Sequence, residues 1–554
     1  MSAEEAFDYV IVGAGSAGCV LANRLTEDGR NDVLVLEAGG SDHSIFIRMP
    51  SALSIPMGMA RYNWQYETEP EPHLNGRRLH CPRGRVIGGS SSINGMVYVR
   101  GNALDYDSWE EAGASGWAYR HVLPYFRRAE TRAEGGDAYR GGEGPLHTSY
   151  GPCTNPLYRA FVEAAVAAGY AETTDINGFR QEGFGRMDQT IHQGDRWSAA
   201  RAYLEPAMRR SNIEVRTQAL ATRILFEGRR AVGIAYLRDG REHQVKASRE
   251  VILAGGPINA PQLLKLSGVG PADELRAQGI VPVHALPGVG ENLQDHLEFY
   301  FQVACRKPIT LYSSMNRAAK ALIGVRWLLT RKGLGATNHF ETCGFIRSRA
   351  GTRYPDIQYH FLPAAISYDG TAQASQHGFQ AHVGTMRSKS RGFVRLRSPD
   401  PRDHPKILFN YMSHPDDWTE MRAGVRLTRE IFAQKPFDAY RGAELQPGAA
   451  ATSDEAIDAF LKDKLESAYH PCGTCKMGRA DDPMAVVDAA GRVIGLEGLR
   501  VVDTSIMPLI TTGNLNAPAI MIGEKVSDAI LGRDPLPPSN APYYIAPDWE
   551  TRQR

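Results

Sequence analysis

Residues 7–18 read FDYVIVGAGSAG and residues 33–40 read VLVLEAGG. In the first stretch Tyr9-Val10-Ile11-Val12 has the texture of a buried strand. Gly13, Gly15 and Gly18 follow at GxGxxG spacing, directly before a helix-like run from Ser16 to Leu25. Gly13 permits the tight turn, Gly15 lets the backbone approach a pyrophosphate, and Gly18 lets the helix pack on the strand. The helix start then offers free N–H groups to phosphates. The second stretch closes a strand at Glu37-Ala38, nineteen residues beyond Gly18, where a carboxylate accepts hydrogen bonds from ribose hydroxyls. These features predict an adenine-dinucleotide site; they do not separate NAD from FAD.

Two later stretches extend the same sheet. Glu250 to Ala254 reads as a strand running into Gly255-Gly256-Pro257, with a helix from Ala260 to Leu266. Near the end, Leu499 to Asp503 reads as a strand, and Ala517 to Ile530 carries the apolar period of a buried helix. Between them lie amphipathic helices around Tyr158 to Ala167 and Trp418 to Ile431, and alternating strand patterns at Ile357 to Phe361 and Gly392 to Leu396. The expected fold is α/β: a discontinuous Rossmann-like nucleotide domain (residues 1–155, 215–300 and 465–534) and a mixed-sheet α+β substrate domain (156–214 and 301–464). A proline-rich tail (535–554) wraps the surface.

At 554 residues the chain exceeds one ordinary core. Its 63 basic and 62 acidic side chains nearly cancel, which removes the bulk electrostatic case for nucleic acid and favours a small-molecule partner. Seven scattered cysteines do not form a disulfide framework, and the chain reads as cytosolic and reduced. Cys472 and Cys475 form a CxxC near His470, but no second ligand pair accompanies them, so no metal is expected. The opening MSAEEAFDYV reads as neither a secretory signal nor an anchor, and no run of about twenty apolar residues is present. Membrane contact, if any, is therefore expected to be peripheral, on the inner face of the cell membrane.

RGRVIGGSSSINGM (83–96) and GGPINAPQLLKLSGVG (255–270) resemble the two signatures of the glucose-methanol-choline oxidoreductases, and the resemblance runs nearly the length of the chain. Ala260 departs from the second signature, where a hydroxyl residue is commoner. The resemblance implies bound FAD, held by Gly13, Gly15, Ser16, Gly18, Glu37 and Ala38 at the adenosine end. Trp64, Gly88, Gly89, Ser90, Asn94, Gly95 and Asp503 are implied near the flavin ring. Some relatives tether flavin through a histidine just before the loop asparagine; here Ile93 precedes Asn94, so FAD is expected to be non-covalent.

SAYHPCGTCKMG (467–478) resembles the family's catalytic segment, which makes His470 the base that takes the alcohol proton while flavin accepts hydride. TTGNLNAPAIMIGEK (511–525) places Asn514 at the position of the partner residue, donating to the substrate oxygen; its rival Asn516 reads as a helix N-cap before Ala517-Pro518. The runs 62–73, 357–370, 378–392 and 534–544 resemble the choline-oxidising members. In those members a glutamate two residues past an Asp-His pair meets the ammonium, a place filled here by Glu298 after Asp295-His296, with Trp64 and Tyr469 as aromatic walls. The strand from Leu297 carries Leu297, Phe299 and Phe301 on one face and Glu298, Tyr300 and Gln302 on the other. SSMNRAAKALIGVRW (313–327) keeps only Trp327 where those members carry several tryptophans. Choline oxidation to betaine aldehyde, and onward to glycine betaine, is the expected reaction, with a quinone or another carrier as electron acceptor. Oxidation of another primary alcohol or a hydroxy acid is the alternative, and cyanohydrin cleavage the remote one.

Overall fold

The computed structural model describes residues 5–367 and 376–554. The expectations on residues 1–4 and the last three residues of the 357–370 run lie outside the described residues.

The first sheet has the strand order Ile213–Arg216, Val33–Leu36, Ala6–Val12, Arg241–Leu253, Arg230–Arg238, Leu220–Glu227, with Leu499–Val501 added beside Arg241–Leu253. Four of its pairings, from Ile213–Arg216 across to Leu499–Val501, are parallel; Val33–Leu36, Tyr9 to Ile11 and Val251 to Leu253 at their centre are buried apolar runs, while Ile213–Arg216 at the edge is half-exposed. Arg241–Leu253 does two jobs. Its polar first half forms an antiparallel hairpin with Arg230–Arg238, and its apolar second half joins the parallel core. Sequence periodicity reveals only that second half, because the exposed Arg-Glu-His-Gln start has no buried face to report.

Helix Ser16–Leu25 begins and ends as expected, and it packs against helix Asn516–Ile530. The two approach closely because position 523 is glycine: a Cβ there would stand 2.9 Å from Val20 Cβ. Glu524, fully buried, ties the same helices together by accepting hydrogen bonds from Arg24 (3.0 and 2.9 Å), Arg128 (2.8 Å) and Tyr203 (2.8 Å).

The second sheet runs Arg441–Gln446, Leu297–Cys305, Gly378–Thr385, Ile357–Leu362, Thr342–Ile346, Gly183–Arg186, with Glu466–Ser467 pairing the start of Leu297–Cys305; these pairs are antiparallel. One face presents Phe299, Phe301, Tyr359, Phe361 and Phe379 to helices Pro156–Ala167 and Pro415–Phe432, forming an aromatic core with Phe161, Phe432 and Phe437. The other face carries Glu298, Gln302, Gln358, His360, Gln380 and His382. These are polar yet buried, since this face abuts the nucleotide-binding part rather than water.

The expected domain changes at 214/215 and 300/301 fall inside single strands: Ile213–Arg216 belongs whole to the first sheet and Leu297–Cys305 whole to the second. The strand pattern at Gly392 to Leu396 forms Phe393–Arg395, which pairs only with Lys406–Leu408 in a separate ribbon. The tail crosses both parts. Leu536 N–H donates to Tyr125 Oη (3.1 Å), Tyr543 Oη–H to Asp107 (2.7 Å), and Arg347 to the carbonyl of Arg552 (2.6 Å). Among the described residues no helix is long and apolar enough to cross a membrane.

Candidate active site

One continuous cavity runs from the glycine turn of the first sheet to the polar face of the second. Three helices start at its wall: Ser16–Leu25, Gly256–Leu266 and Asn516–Ile530. Their N-cap positions, Gly15, Gly255 and Leu515, make no side-chain cap; apart from Gly256 N–H, which Asp503 takes, the first-turn backbone N–H groups are left for whatever fills the cavity. Three uncapped N-termini around one cleft suit an anionic ligand.

The glycines separate into two kinds. A Cβ on Gly18 would lie 2.0 Å from Gly13 O, and one on Gly13 would lie 2.6 Å from Ala254 O, so internal packing requires both to be glycine. A Cβ on Gly15 would meet only Ala254 O at 3.7 Å, and one on Gly95 would meet nothing within 4 Å; both residues line the cavity. Protein packing does not explain glycine at these two positions, and a ligand lying against the backbone does. The loop 83–96 crosses the first turn closely, since a Cβ on Gly89 would stand 2.7 Å from Gly15 Cα.

The expected cofactor residues Gly13, Gly15, Ser16, Glu37, Ala38, Trp64, Gly89, Ser90, Asn94, Gly95 and Asp503 all line the cavity. Gly18 and Gly88 do not. They stand behind the wall, Gly18 against Gly13 and Gly88 with its N–H donated to Ala14 O at 2.8 Å. Glu37 is buried, and each carboxyl oxygen accepts one backbone N–H, from Ala14 (2.9 Å) and Gly39 (2.7 Å). Burial lifts its pKa to about 7 against the pull of those two donors. Asp503 accepts from Gly256 N–H and Ser505 N–H, both at 2.8 Å, and so ties the start of Gly256–Leu266 to the short 3-10 turn Thr504–Ile506. Asn516 is no N-cap: it is the first helical residue, and its Oδ1 accepts from Ser16 Oγ–H at 2.7 Å, which links the first helix to the last.

His470 and Asn514 meet at the seam, with Asn514 Nδ2 3.0 Å from His470 Nε2. His470 Nδ1 lies 3.0 Å from His296 Nδ1, and His296 Nε2 lies 3.2 Å from the carbonyl of Met386. A carbonyl only accepts, so His296 carries its proton on Nε2. Its Nδ1 is then an acceptor, His470 must donate from Nδ1, and His470 Nε2 keeps a lone pair toward Asn514 and the cavity. Burial holds both rings neutral: the pKa of His296 falls to about 3, and that of His470 falls well below the ordinary imidazole value, helped by His296, His360 and Arg83. Asp295 fixes the backbone of His470 by accepting its N–H at 2.6 Å, and it also accepts from Tyr411 (2.6 Å) and Ser467 (2.5 Å).

Glu298 lies on the same wall, buried, with Oε1 2.9 Å from His382 Nδ1. Trp64, Tyr469, Phe340, His360 and His382 line the cavity around it. Trp327 does not join them. Its Nε1–H donates to Gly194 O (2.7 Å), and it is sealed under Gly335, so the aromatic enclosure is built from other residues.

Sequence reading passed over His360, His382, Gln358 and Phe340. Both histidines sat inside runs quoted for their likeness, yet only strand register brings them side by side, His360 opposite His382. Gln358 Nε2 donates to Asn514 Oδ1 at 3.2 Å, which orients the amide.

Family models described as GMC oxidoreductase match residues 7–298 and 388–523. The chain belongs to the GMC oxidoreductase family. It is 60% identical over 548 residues to an oxygen-dependent choline dehydrogenase of Brucella anthropi, covering 99% of this chain and 100% of the relative. It is also 60% identical over 540 residues to one of Rhizobium etli, covering 98% of each. Among solved structures it resembles pyridoxine 4-oxidase from Mesorbium loti (TM-score 0.86, 32% identity, 95% of this chain and 99% of the other). It also resembles an FAD-dependent oxidoreductase from Chaetomium thermophilum (TM-score 0.86, 28% identity, 95% and 99%). The GMC cofactor is FAD, and the three open helix starts and the uncrowded glycines fit a dinucleotide of that kind.

Proposed function

We propose that this GMC oxidoreductase oxidises choline to betaine aldehyde, and on to glycine betaine when the aldehyde hydrate returns as a second alcohol. One observation carries the reading: a neutral imidazole with its lone pair turned inward and a buried carboxylate, Glu298, stand on one cavity wall with aromatic side chains between. A quaternary ammonium offers charge without an N–H donor, so a carboxylate and ring faces are the groups that recognise it. The substrate hydroxyl enters between Asn514 and His470. His470 Nε2 accepts its proton, and Asn514 Nδ2 donates to the oxygen as negative charge develops. FAD, when bound, supplies the hydride acceptor at N5.

The cofactor part comprises the first sheet with 1–155, 213–296 and 468–534, and the substrate part the second sheet with 156–212 and 297–467, the limits moved so that Ile213–Arg216, Leu297–Cys305 and Glu466–Ser467 each stay whole. FAD is held non-covalently, because the loop 83–96 contains no histidine, cysteine or tyrosine; acid precipitation should leave yellow colour in the supernatant. Electrons pass to a quinone or a similar carrier, from a cytoplasmic protein in peripheral contact with the membrane. The relatives' naming as choline dehydrogenases supports the substrate.

The test is anaerobic flavin bleaching across an alcohol panel. Choline should exceed its uncharged isostere 3,3-dimethylbutanol in kcat/KM by about tenfold or more, roughly 1.4 kcal/mol. Equal values would assign the site to an uncharged primary alcohol. A cyanohydrin lyase would leave the flavin unbleached.

A further inference from the structure

We propose that helix Arg317–Thr330 is a membrane-docking face that lies along an anionic bilayer surface on the side of the molecule next to the active-site cavity wall. This rests on the peripheral location proposed above and names the surface that makes it.

The helix is held by one edge. Of its fourteen residues only Trp327 is buried, anchored by its bond to Gly194 O and by Gly335 beneath it. At 100° per residue, Ala318, Ala321, Leu322, Val325, Leu328 and Leu329 form a stripe on the side opposite Trp327. That stripe faces water: Leu322 is 70% exposed, Val325 52%, Leu328 52% and Leu329 80%. Four large aliphatic side chains on one exposed helical face are unusual for a helix with no partner among the described residues to cover them.

Basic residues flank the stripe on both edges, Arg326 on one and Arg317 and Lys320 on the other, with Lys332 just beyond the helix end. From 299 to 340 the chain carries seven arginines and lysines and not one acidic residue. An apolar stripe with cationic borders is the pattern of an interfacial helix: the aliphatic side chains enter the acyl boundary and the cations meet phosphates at headgroup level. Two copies of this chain meeting stripe to stripe would bring their cationic borders together, so self-association is disfavoured.

The surface continues past the helix. Segment Leu334–Ala336 packs on Pro50–Ala52, and exposed Ile45, Phe46 and Ile55 lie in the flanking short helices Ile45–Arg48 and Ser54–Gly58. Their neighbours Leu53 and Met57 line the cavity, as does Phe340 a few residues after Gly335. The face is therefore continuous with the cavity wall at Leu53, Met57 and Phe340, the side from which a lipophilic electron acceptor dissolved in the bilayer would approach.

The test uses the full-length holoprotein and sedimentation with vesicles of phosphatidylcholine, with and without phosphatidylglycerol, at low and high salt. The protein should pellet with the anionic vesicles, and high salt should weaken this. The double variant Leu322→Asp/Leu329→Asp should lose about tenfold or more of its partitioning while keeping its flavin spectrum and its choline-dependent reduction of a soluble dye. A charge-reversed pair, Lys320→Glu/Arg326→Glu, should abolish the preference for anionic lipid even if the first variant folds poorly. Undiminished vesicle binding by both variants would overturn this face and leave a peripheral location standing. No binding by the unaltered protein would overturn both. Conversion of a dimer to a monomer by the stripe variant, without change in lipid partitioning, would assign the face to self-association and refute the proposal.

Discussion

At the scale of single residues, the proposed chemistry depends on which nitrogen of His470 is bare. The relay from Met386 O through His296 to His470 Nδ1 answers that by donor and acceptor counting alone, and it leaves Nε2 as the base. His470→Ala should therefore slow anaerobic flavin reduction by about 100-fold or more while changing the apparent Kd for choline only a few-fold. Stopped-flow reduction across a choline series reads both quantities, and a near-normal limiting rate would remove His470 as the base. The sign of its pH dependence follows from burial. Because the His470 pKa lies well below 6.5, the ring stays neutral as pH falls through the ordinary imidazole range. The limiting rate of flavin reduction at saturating choline should stay level through that range and drop only below it. An inflection at 6.5 itself would mean that the ring is wetter than its packing implies.

At the scale of elements, the glycine turn shows how much could be read in advance and how much could not. The strand, the turn and helix Ser16–Leu25 were legible because three local signals coincide: an apolar run, GxGxxG spacing and a helical period. The spacing does not say which glycine serves the fold and which serves the ligand. Gly18→Ala places a methyl 2.0 Å from Gly13 O and should yield little folded protein. Gly15→Ala meets no crowding in the protein and should fold, but it should lose flavin. Visible absorbance per folded chain after gel filtration separates the two, and a fully yellow Gly15→Ala would show that nothing lies against that backbone. His360 and His382 were illegible for a related reason. Each stands on an alternating strand like many others, and their adjacency is a matter of register between strands about twenty residues apart. Trp327, the one tryptophan kept in 313–327, anchors a helix and lies outside the cavity, a role that its place in that run does not reveal.

At the scale of the whole molecule, the site exists only where two sheets meet. The buried polar face of the second sheet is stabilised by the first part lying over it, and that arrangement fixes how stability responds to acid. His296 (about 3), His339 (about 4), His360 and His470 all have pKa values lowered by burial. Below 6.5 the unfolded chain binds protons at these positions that the native chain does not, so each contributes stability that is full above 6.5 and lost as pH falls toward its native value. Glu37 (about 7), Glu71 (about 7) and Glu420 (about 8) act with the opposite sign, because burial keeps them protonated when folded and their penalty eases as pH falls toward 4.5. Between 4.5 and 6.5 the two sets oppose each other, and stability should change little. Below 4.5 these three glutamates have nothing further to give and the raised aspartates, Asp105 (about 6) among them, give out by 3.8, while the histidines continue to lose ground. Glu130, held at about 2 by Arg100 and Arg140, loses with them. Denaturant midpoints of the holoprotein should therefore be nearly flat across the upper window and fall steeply only below about 4. A midpoint that declines in proportion from 6.5 downward would show that the carboxyls are ionised in the native state, and that the seam between the sheets admits more water than its burial implies.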